Sequence, residues 1–257
     1  MKAKKSYGQH FLNNEALAEQ IASSLKRSDA YDTVLEVGPG KGVLTKYLLS
    51  KVFELVVVEA DRDMVFYIKK HFPSLVENII EADFLKVPLD LVFKNRPFGL
   101  IGNFPYNISS QILFTMLKYK AQIPEMVGMF QKEVADRVIA APGNKTYGVI
   151  SVLVQAHYSG ELLFDVDKRN FNPPPKVQSA VIRLTRRDDF QLDCDSKIFS
   201  IVVKQAFSQR RKMLRNTMKT FSKDAEFLQL PIMSQRPEQL SLKDFEILTN
   251  WVMEYRI

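Results

Sequence analysis

Short apolar runs alternate with amphipathic stretches along the first two thirds of the chain. Short stretches rich in apolar residues, typical of buried strands, occur at residues 33–37, 55–58, 76–80, 98–101 and 126–130. Apolar residues at helical spacing predict helices around them, at residues 15–25, 43–49, 61–71 and 133–140. Because strands that alternate with helices of this length form parallel sheets, the pattern predicts an α/β fold with a mostly parallel sheet.

The pattern changes towards the C-terminal end. Residues 177–184 alternate between apolar and polar side chains, which predicts one more strand. From Ser196 onward helical spacing dominates, and the acidic residues 188–195 predict a joint. We therefore expect a larger α/β domain at residues 1–187 and a small all-helical domain at residues 188–257.

The chain is basic, since 36 Lys and Arg residues outnumber 29 Asp and Glu residues and leave a net charge of +7. Such a balance favours a polyanionic partner such as a nucleic acid, although charge alone does not name it. Residues 204–219 contain six basic side chains and no acidic one, and their setting predicts one basic helix.

Composition also excludes several classes of protein. The single cysteine, Cys194, excludes an internal disulfide and a cysteine-based metal cluster. No apolar run approaches the ~18 residues that cross a bilayer. No apolar stretch of a secretory signal follows the basic N-terminus. We therefore expect a cytoplasmic protein without a membrane partner.

A glycine-rich loop at residues 36–42 lies between the first predicted strand and the next helix. Glycines there allow a tight turn and a close approach of a ligand to the backbone. The fingerprint of the NAD oxidoreductases fails because Val43 stands where its third glycine is required. A phosphate-binding P-loop fails because Gly42 is not followed by Lys and Ser or Thr. A plain strand-to-helix turn remains the alternative to a ligand site.

Three consecutive strand ends carry Gly38, Glu59 and Asp83. An acid at the second strand end can accept hydrogen bonds from a ribose diol, and Asp83 can bind an adenine amino group. Each acid alone is more often a helix cap or a turn residue, but their joint placement favours a nucleoside. Since the loop offers no deep phosphate cradle, S-adenosylmethionine fits the pattern better than NAD or ATP.

The sequence Asn-Phe-Pro-Tyr at residues 103–106 follows the fourth predicted strand. The side-chain oxygen of Asn103 and the carbonyl oxygen of Pro105 can accept hydrogen bonds from an exocyclic amine such as adenine N6, which makes that nitrogen a better nucleophile. Tyr106 can stack on the extracted base, a contact worth ~1–3 kcal/mol. The motif therefore predicts methyl transfer to such an amine, and a plain Asn-Pro turn with a packed tyrosine is the alternative.

Several ordered motifs together support a family resemblance, namely residues 8–12 (Gly-Gln-His-Phe-Leu), 36–40, 103–109, 131–135, 173–177 and 209–212. With them the chain resembles the ribosomal RNA adenine N6,N6-dimethyltransferases, in their bacterial small-subunit branch, over nearly its whole length. The resemblance implies a Rossmann-like class I methyltransferase sheet followed by a small helical domain. It also implies S-adenosylmethionine as methyl donor and two adjacent adenines near the 3′ end of small-subunit (16S) rRNA as acceptors.

The resemblance assigns site residues position by position. Cofactor contacts fall on His10, Leu12, Gly38, Glu59, Asp83 and Asn103. The catalytic set is Asn103, Pro105, Tyr106 and Phe171, with Phe171 as a second base-stacking aromatic. His10 stands where many relatives have Asn. The difference is silent if only the backbone of His10 contacts the cofactor, so the role of its side chain stays open.

The predicted basic helix becomes a candidate RNA contact beside such a site, because phosphate contacts position an RNA without reading its sequence. The residues concerned are Arg210, Arg211, Lys212 and Arg215. We expect small-subunit rRNA or a precursor of the small ribosomal subunit as partner, a monomeric enzyme and no metal. The alternatives are a large-subunit rRNA adenine methyltransferase of the antibiotic-resistance branch and a ribosome-assembly factor that mainly binds.

Overall fold

The chain divides into two compact units in the computed structural model, which describes residues 4, 7–27 and 29–255. The first unit comprises Met1–Ala135 and Ser159–Arg186, and the second comprises Asp136–Tyr158 and Arg187–Ile257. The second unit thus contains an internal segment in addition to the C-terminal part. The division into domains at residue 187 stays a prediction. A single boundary there assigns this internal segment to the larger domain.

A seven-stranded sheet forms the centre of the first unit within the described residues. Its strands are β2 (Thr33–Val37), β3 (Glu54–Glu59), β4 (Ile79–Glu81), β5 (Gly99–Asn103), β6 (Glu125–Gln131), β7 (Tyr158–Val166) and β9 (Ser179–Arg186). The short strands β1 (Phe11–Leu12) and β8 (Phe171–Asn172) pair antiparallel in a separate two-stranded sheet.

The strand order is β4-β3-β2-β5-β6-β9-β7. Neighbouring strands from β4 to β6 are parallel, and β9 runs antiparallel to β6. The chain winds outward from β2 to β4 and returns on the other side of β2 with β5. The carboxyl ends of β2 and β5 therefore form the switch point of the sheet, where open α/β sheets bind ligands. This confirms the predicted α/β class and mostly parallel sheet.

Helices of the first unit follow the apolar spacing of the sequence. They are α1 (Glu15–Ala22), α2 (Thr45–Leu48), α3 (Arg62–His71), α4 (Leu89–Val92) and α5 (Ser109–Lys118), and α6 (Lys132–Ile139) continues into the second unit. Asn14 caps α1 by accepting from the backbone N–H of Leu17, and Asp61 caps α3 by accepting from that of Asp63.

Some predicted boundaries differ from the structure for local reasons. The strand predicted at residues 76–80 is confined to β4, because a 3₁₀ helix that begins at Pro73 occupies Pro73–Asn78. The apolar pattern does not predict β7. Most of its residues from Ser159 to Asp165 are exposed or half-buried, so the strand lacks the continuous apolar run that marks a buried parallel strand.

The second unit is built from helices. They are α7 (Val149–Gln155), α8 (Ser196–Phe207), α9 (Leu214–Thr217), α10 (Ala225–Gln229) and α11 (Leu242–Glu254). Residues 187–255 contain helices and turns and no strand, which confirms the helical C-terminal part. The apolar helix α7 packs on α8, and the ring of Tyr147 contacts that of Phe207 at 6.2 Å between centroids. Burial of this apolar helix explains why the internal segment belongs to the second unit.

The prediction of one basic helix over residues 204–219 is wrong. α8 ends at Phe207, a turn follows, and Met213 has extended backbone before α9 begins. The five residues from Ser208 to Lys212 are all polar, so a helix there has no apolar face to bury and gains no packing energy. Leu214 is instead fully buried, and its backbone N–H donates to the carbonyl oxygen of Gln235 over 2.8 Å.

Candidate active site

A cavity of about 520 Å³ opens at the switch point of the sheet, at the carboxyl ends of β2 to β5. All of its lining residues belong to the first unit and come from five segments, namely residues 7–12, 36–41 with 43–44, 58–60, 82–84 and 103–108. The predicted glycine loop, both predicted acids and the Asn-Phe-Pro-Tyr motif thus meet around one space.

The glycine loop is held open beside this cavity by its backbone conformation. Gly38 and Gly40 have φ values of 67° and 54°, in the left-handed region that favours glycine. The N–H of Gly38 donates to the carbonyl oxygen of Val58 over 2.9 Å, which fixes the turn to β3. A Cβ added at Gly38 would meet only the Pro105 ring, at 4.0 Å, so a ligand can approach this backbone closely.

Glu59 ends β3 with its carboxylate held in place. The N–H of Gly40 donates to Oε2 over 3.3 Å, and the N–H of Asp61 donates to Oε1 over 2.9 Å. The side chain is 8% exposed, and this burial raises the pKa of Glu59 above its ordinary value. Because each carboxylate oxygen can accept more than one hydrogen bond, both can still receive ligand hydroxyls.

Asp83 is a turn cap that also lies at the cavity. Its Oδ1 accepts from the backbone N–H of Leu85 over 3.0 Å and caps the 3₁₀ helix Phe84–Lys86. The side chain is 43% exposed and also lines the cavity. A cap at this position therefore leaves the residue available to a ligand.

Glu36 also lines the cavity, although its position in the sequence does not predict a role for its side chain. It lies in the middle of β2, is 1% exposed, and accepts a hydrogen bond from Thr45 Oγ1 over 2.7 Å. Burial raises its pKa to about 8, the negative charge of Glu59 adds to this, and the Thr45 bond opposes it. The signal that could have revealed it is a carboxylate inside an otherwise apolar strand.

This buried carboxyl predicts that the ligand-free protein loses stability as the pH rises. The unfolded chain releases the Glu36 proton near its ordinary pKa of 4.5, whereas the folded chain keeps it until about pH 8. Stability is therefore full below pH 4.5 and declines between these values, by about 1.4 kcal/mol for each unit of pKa difference. Urea unfolding of wild type and Glu36→Gln at pH 5 and pH 8 measures it. The variant should lose less stability between the two, and equal losses would contradict the prediction.

Asn103 is oriented by a hydrogen bond at the end of β5. Its Nδ2 donates to the backbone carbonyl oxygen of His10 over 3.0 Å, which leaves Oδ1 as an acceptor. The next residue, Phe104, is 1% exposed and packs against the ring of Phe130 at 5.0 Å between centroids. A Cβ at Gly128 would lie 2.2 Å from the Phe104 ring, so this position of β6 has room only for glycine. Phe104 thus anchors in the core a motif whose four residues all line the cavity.

Tyr106 and His10 form a stacked pair at the cavity. Their ring centroids are 5.3 Å apart with an interplanar angle of 25°, and the hydroxyls of Tyr106 and Ser179 share a hydrogen bond. Burial raises the pKa of Tyr106. His10 Nδ1 donates to the carbonyl oxygen of Pro173 over 2.8 Å. The side chain of His10 therefore joins Tyr106 to the proline-rich segment, a role that the sequence could not show.

Phe171 is not brought to the cavity with the other predicted residues. It lies opposite Leu12 in the pair of β1 and β8, is 3% exposed, and belongs to the apolar core. Leu12, by contrast, lines the cavity, as do His10 and Pro105.

The predicted RNA-binding residues lie in the second unit, on the turn after α8 and on α9. Arg211, Lys212 and Arg215 are exposed. Arg210 is half-buried, and its Nη2 donates to the carbonyl oxygen of Asn144 over 3.2 Å. Among the described residues, no group of three or more His, Cys, Asp and Glu side chains is placed to hold a metal ion, and no helix is long and apolar enough to cross a membrane.

The model of the ribosomal RNA adenine dimethylase family matches residues 1–249. The chain belongs to this family. Membership confirms the predicted enzyme class, a methyltransferase with S-adenosylmethionine as methyl donor.

Curated relatives of the family are similar to the chain over almost its whole length. A ribosomal RNA small subunit methyltransferase A of Flavobacterium johnsoniae is 51% identical and covers 97% of this chain and 95% of its own. A protein of the same name from Bacteroides thetaiotaomicron is 52% identical, and the match covers 99% of this chain and 95% of that protein.

Solved structures show the same fold. A dimethyladenosine transferase from Plasmodium falciparum superposes with a TM-score of 0.77 at 24% identity and covers 96% of this chain and 99% of its own. A 23S rRNA methyltransferase, ErmE, superposes with a TM-score of 0.67 at 23% identity and covers 93% and 99%. At these identities the likeness concerns the fold, and it confirms the class I methyltransferase architecture.

Proposed function

We propose that this enzyme transfers methyl groups from S-adenosylmethionine to N6 of two adjacent adenines near the 3′ end of small-subunit rRNA, as a step of ribosome biogenesis. The observation that carries the proposal is the orientation of Asn103. Its Nδ2 donates to the His10 carbonyl oxygen, which leaves Oδ1 as an acceptor on a residue that lines the cavity. The names of the curated relatives support the small subunit as the target.

The cavity suits S-adenosylmethionine, whose sulfonium supplies an electrophilic methyl group when it is bound. We assign the ribose diol to the carboxylate of Glu59 and the adenine amino group to Asp83, since both line the cavity. Gly38 offers backbone without a side chain in the way. His10, Leu12 and Asn103 complete the proposed cofactor contacts.

The acceptor adenine has to leave its base stack to reach the site. We assign its two N6 hydrogens to Asn103 Oδ1 and the Pro105 carbonyl oxygen, which draw the nitrogen lone pair out of conjugation. No strong general base is needed, because the nitrogen becomes acidic once it is methylated.

Tyr106 is the proposed stacking partner of the base, held by His10 and Ser179. Phe171 is proposed as the second stacking aromatic. In this conformation its ring is buried, so stacking requires it to turn out of the core beside Leu12.

The RNA itself is held by phosphate contacts from Arg210, Arg211, Lys212 and Arg215. The charge of these residues and the exposure of Arg211, Lys212 and Arg215 support this proposal. We further propose that the enzyme acts as a monomer in the cytoplasm, on small-subunit rRNA or a precursor of the small subunit.

A transfer assay with separated subunits tests the target. Labelled S-adenosylmethionine is mixed with unmethylated small subunits or with large subunits, and the digested rRNA is analysed for nucleosides. We expect N6,N6-dimethyladenosine from the small subunit alone, with two labelled residues per rRNA. Label in the large subunit would instead support the resistance-type activity, and cofactor binding without transfer would support a role in assembly. Asn103→Ala, purified in the same way, controls for contaminating enzymes.

A further inference from the structure

Residues 7–12 form a segment, here called the N-terminal segment, that lines one side of the cavity with all six residues. One end is fixed by the pairing of β1 with β8. Nearer the other end, a hydrogen bond from Gln9 fixes the segment to Asp61, which is not itself a lining residue.

The Asp61 carboxylate is a buried hub of hydrogen bonds, and its side chain is 1% exposed. Oδ2 accepts from Gln9 Nε2 over 2.9 Å, and Oδ1 accepts from Lys4 Nζ over 2.6 Å. Gln9 Oε1 in turn accepts from the backbone N–H of Lys4 over 2.9 Å. A helix cap explains only the bond from the N–H of Asp63 to Oδ1, at 3.1 Å. Capping does not explain why the carboxylate also accepts hydrogen bonds from Gln9 and Lys4.

The backbone of Asp61 also makes a hydrogen bond, to an acid that lines the cavity. Its N–H donates to Glu59 Oε1 over 2.9 Å, and the other oxygen of Glu59 accepts from Gly40. One residue therefore connects the N-terminal segment, the acid at the end of β3 and the glycine loop. Burial alone would raise the pKa of Asp61, but the bonds from Lys4 and Gln9 lower it, so the carboxylate stays charged.

We propose that Asp61 is a positioning residue for S-adenosylmethionine. Its side chain holds the N-terminal segment against the bound cofactor through Gln9, and its backbone N–H orients Glu59. The inference rests on the proposed function, since it takes the cavity to be the cofactor site. Because Asp61 acts through other residues, its loss should weaken cofactor binding more than the transfer step.

Two single variants and their combination test the link. Asp61→Asn keeps an oxygen for the helix cap, but its new amide faces the amide of Gln9, donor against donor. Gln9→Glu places a second carboxylate against that of Asp61. We expect each to raise the dissociation constant of S-adenosylmethionine roughly ten- to a hundredfold, the effect of one or two hydrogen bonds to a charged group. Combined, the two changes restore a donor and an acceptor facing each other, so the double variant should bind within a few fold of wild type.

Calorimetry with S-adenosylmethionine alone gives the affinity, and steady-state assays give kcat and both KM values. The KM for the cofactor should rise while kcat and the KM for RNA change little. Asp63→Asn is the matched control. That carboxylate also contacts Lys4, at 2.7 Å, but is 59% exposed and bonds neither Gln9 nor Glu59 in the described structure, so the variant should bind like wild type.

Unchanged affinity in Asp61→Asn, or a double variant no better than the single ones, would overturn the inference. A wild-type protein that fails to bind S-adenosylmethionine would overturn the proposed function instead. Thermal unfolding of each variant shows whether the fold is retained. A purely structural defect would lower kcat and cofactor affinity together, whereas loss of the hydrogen bond between Gln9 and Asp61 should lower mainly the affinity.

Discussion

Replacing Asn103 by alanine is expected to lower kcat by at least about 10²- to 10³-fold, the range for loss of one preorganised polar group at a reacting centre. The change removes the acceptor Oδ1 and the bond to the His10 carbonyl together. The fold should survive, because Phe104, not Asn103, anchors the motif in the core. Single-turnover transfer to small subunits, with saturating cofactor, measures the effect.

Asn107→Ala is the matched control for this prediction. Asn107 is an exposed amide that also lines the cavity, four residues further along the chain, and we assign it no contact with the acceptor. It should keep most of its transfer rate. Full activity of Asn103→Ala would exclude the proposed mechanism, and equal losses in both variants would indicate a general effect of the cavity rim.

Reversing Arg210, Arg211 and Lys212 together to Glu is expected to weaken RNA binding about a hundredfold or more at low salt. For every phosphate that the variant no longer neutralises, the slope of log affinity against log salt should also fall by about 0.7–0.9. The affinity for S-adenosylmethionine should not change, because the cavity is lined by the first unit and these residues belong to the second. Filter binding of rRNA across a salt series measures both effects.

A charge-matched variant shows whether position or total charge is responsible. Reversal of the exposed residues Lys51, Lys69 and Lys70 to Glu lowers the net charge by the same six units, from +7 to +1. RNA affinity should then fall only slightly. If the two triple variants bind RNA equally weakly, the turn after α8 has no special part in the interface.

The sequence by itself determined the class of fold and singled out several residues that line one cavity. Buried strands and amphipathic helices follow from the period at which apolar residues recur, and this is a local property of the chain. The carboxyl ends of parallel strands meet at one edge, so the order of the strands along the chain already groups Gly38, Glu59, Asp83 and Asn103. The Asn-Phe-Pro-Tyr motif then predicts the chemistry.

The features that the sequence did not show concern burial rather than period. The basic residues of 204–219 resemble a helix, yet Ser208 to Lys212 have no apolar face to pack and form a turn. The sequence does not separate the apolar helix α7 from the α/β domain, because its partner α8 lies some forty residues later in the chain. Phe171 matches a motif position, but only packing beside Leu12 decides that its ring is buried.

Only the tertiary structure decided how the site is held together. The bonds from Gln9 to Asp61 and from Asn103 to His10 join residues 52 and 93 positions apart. Nothing in the local sequence of either partner specifies such a bond, because it forms only after the sheet order has placed β2 between β3 and β5. The raised pKa of Glu36 has the same origin, since burial by the assembled sheet, and not the residue type, keeps its proton on.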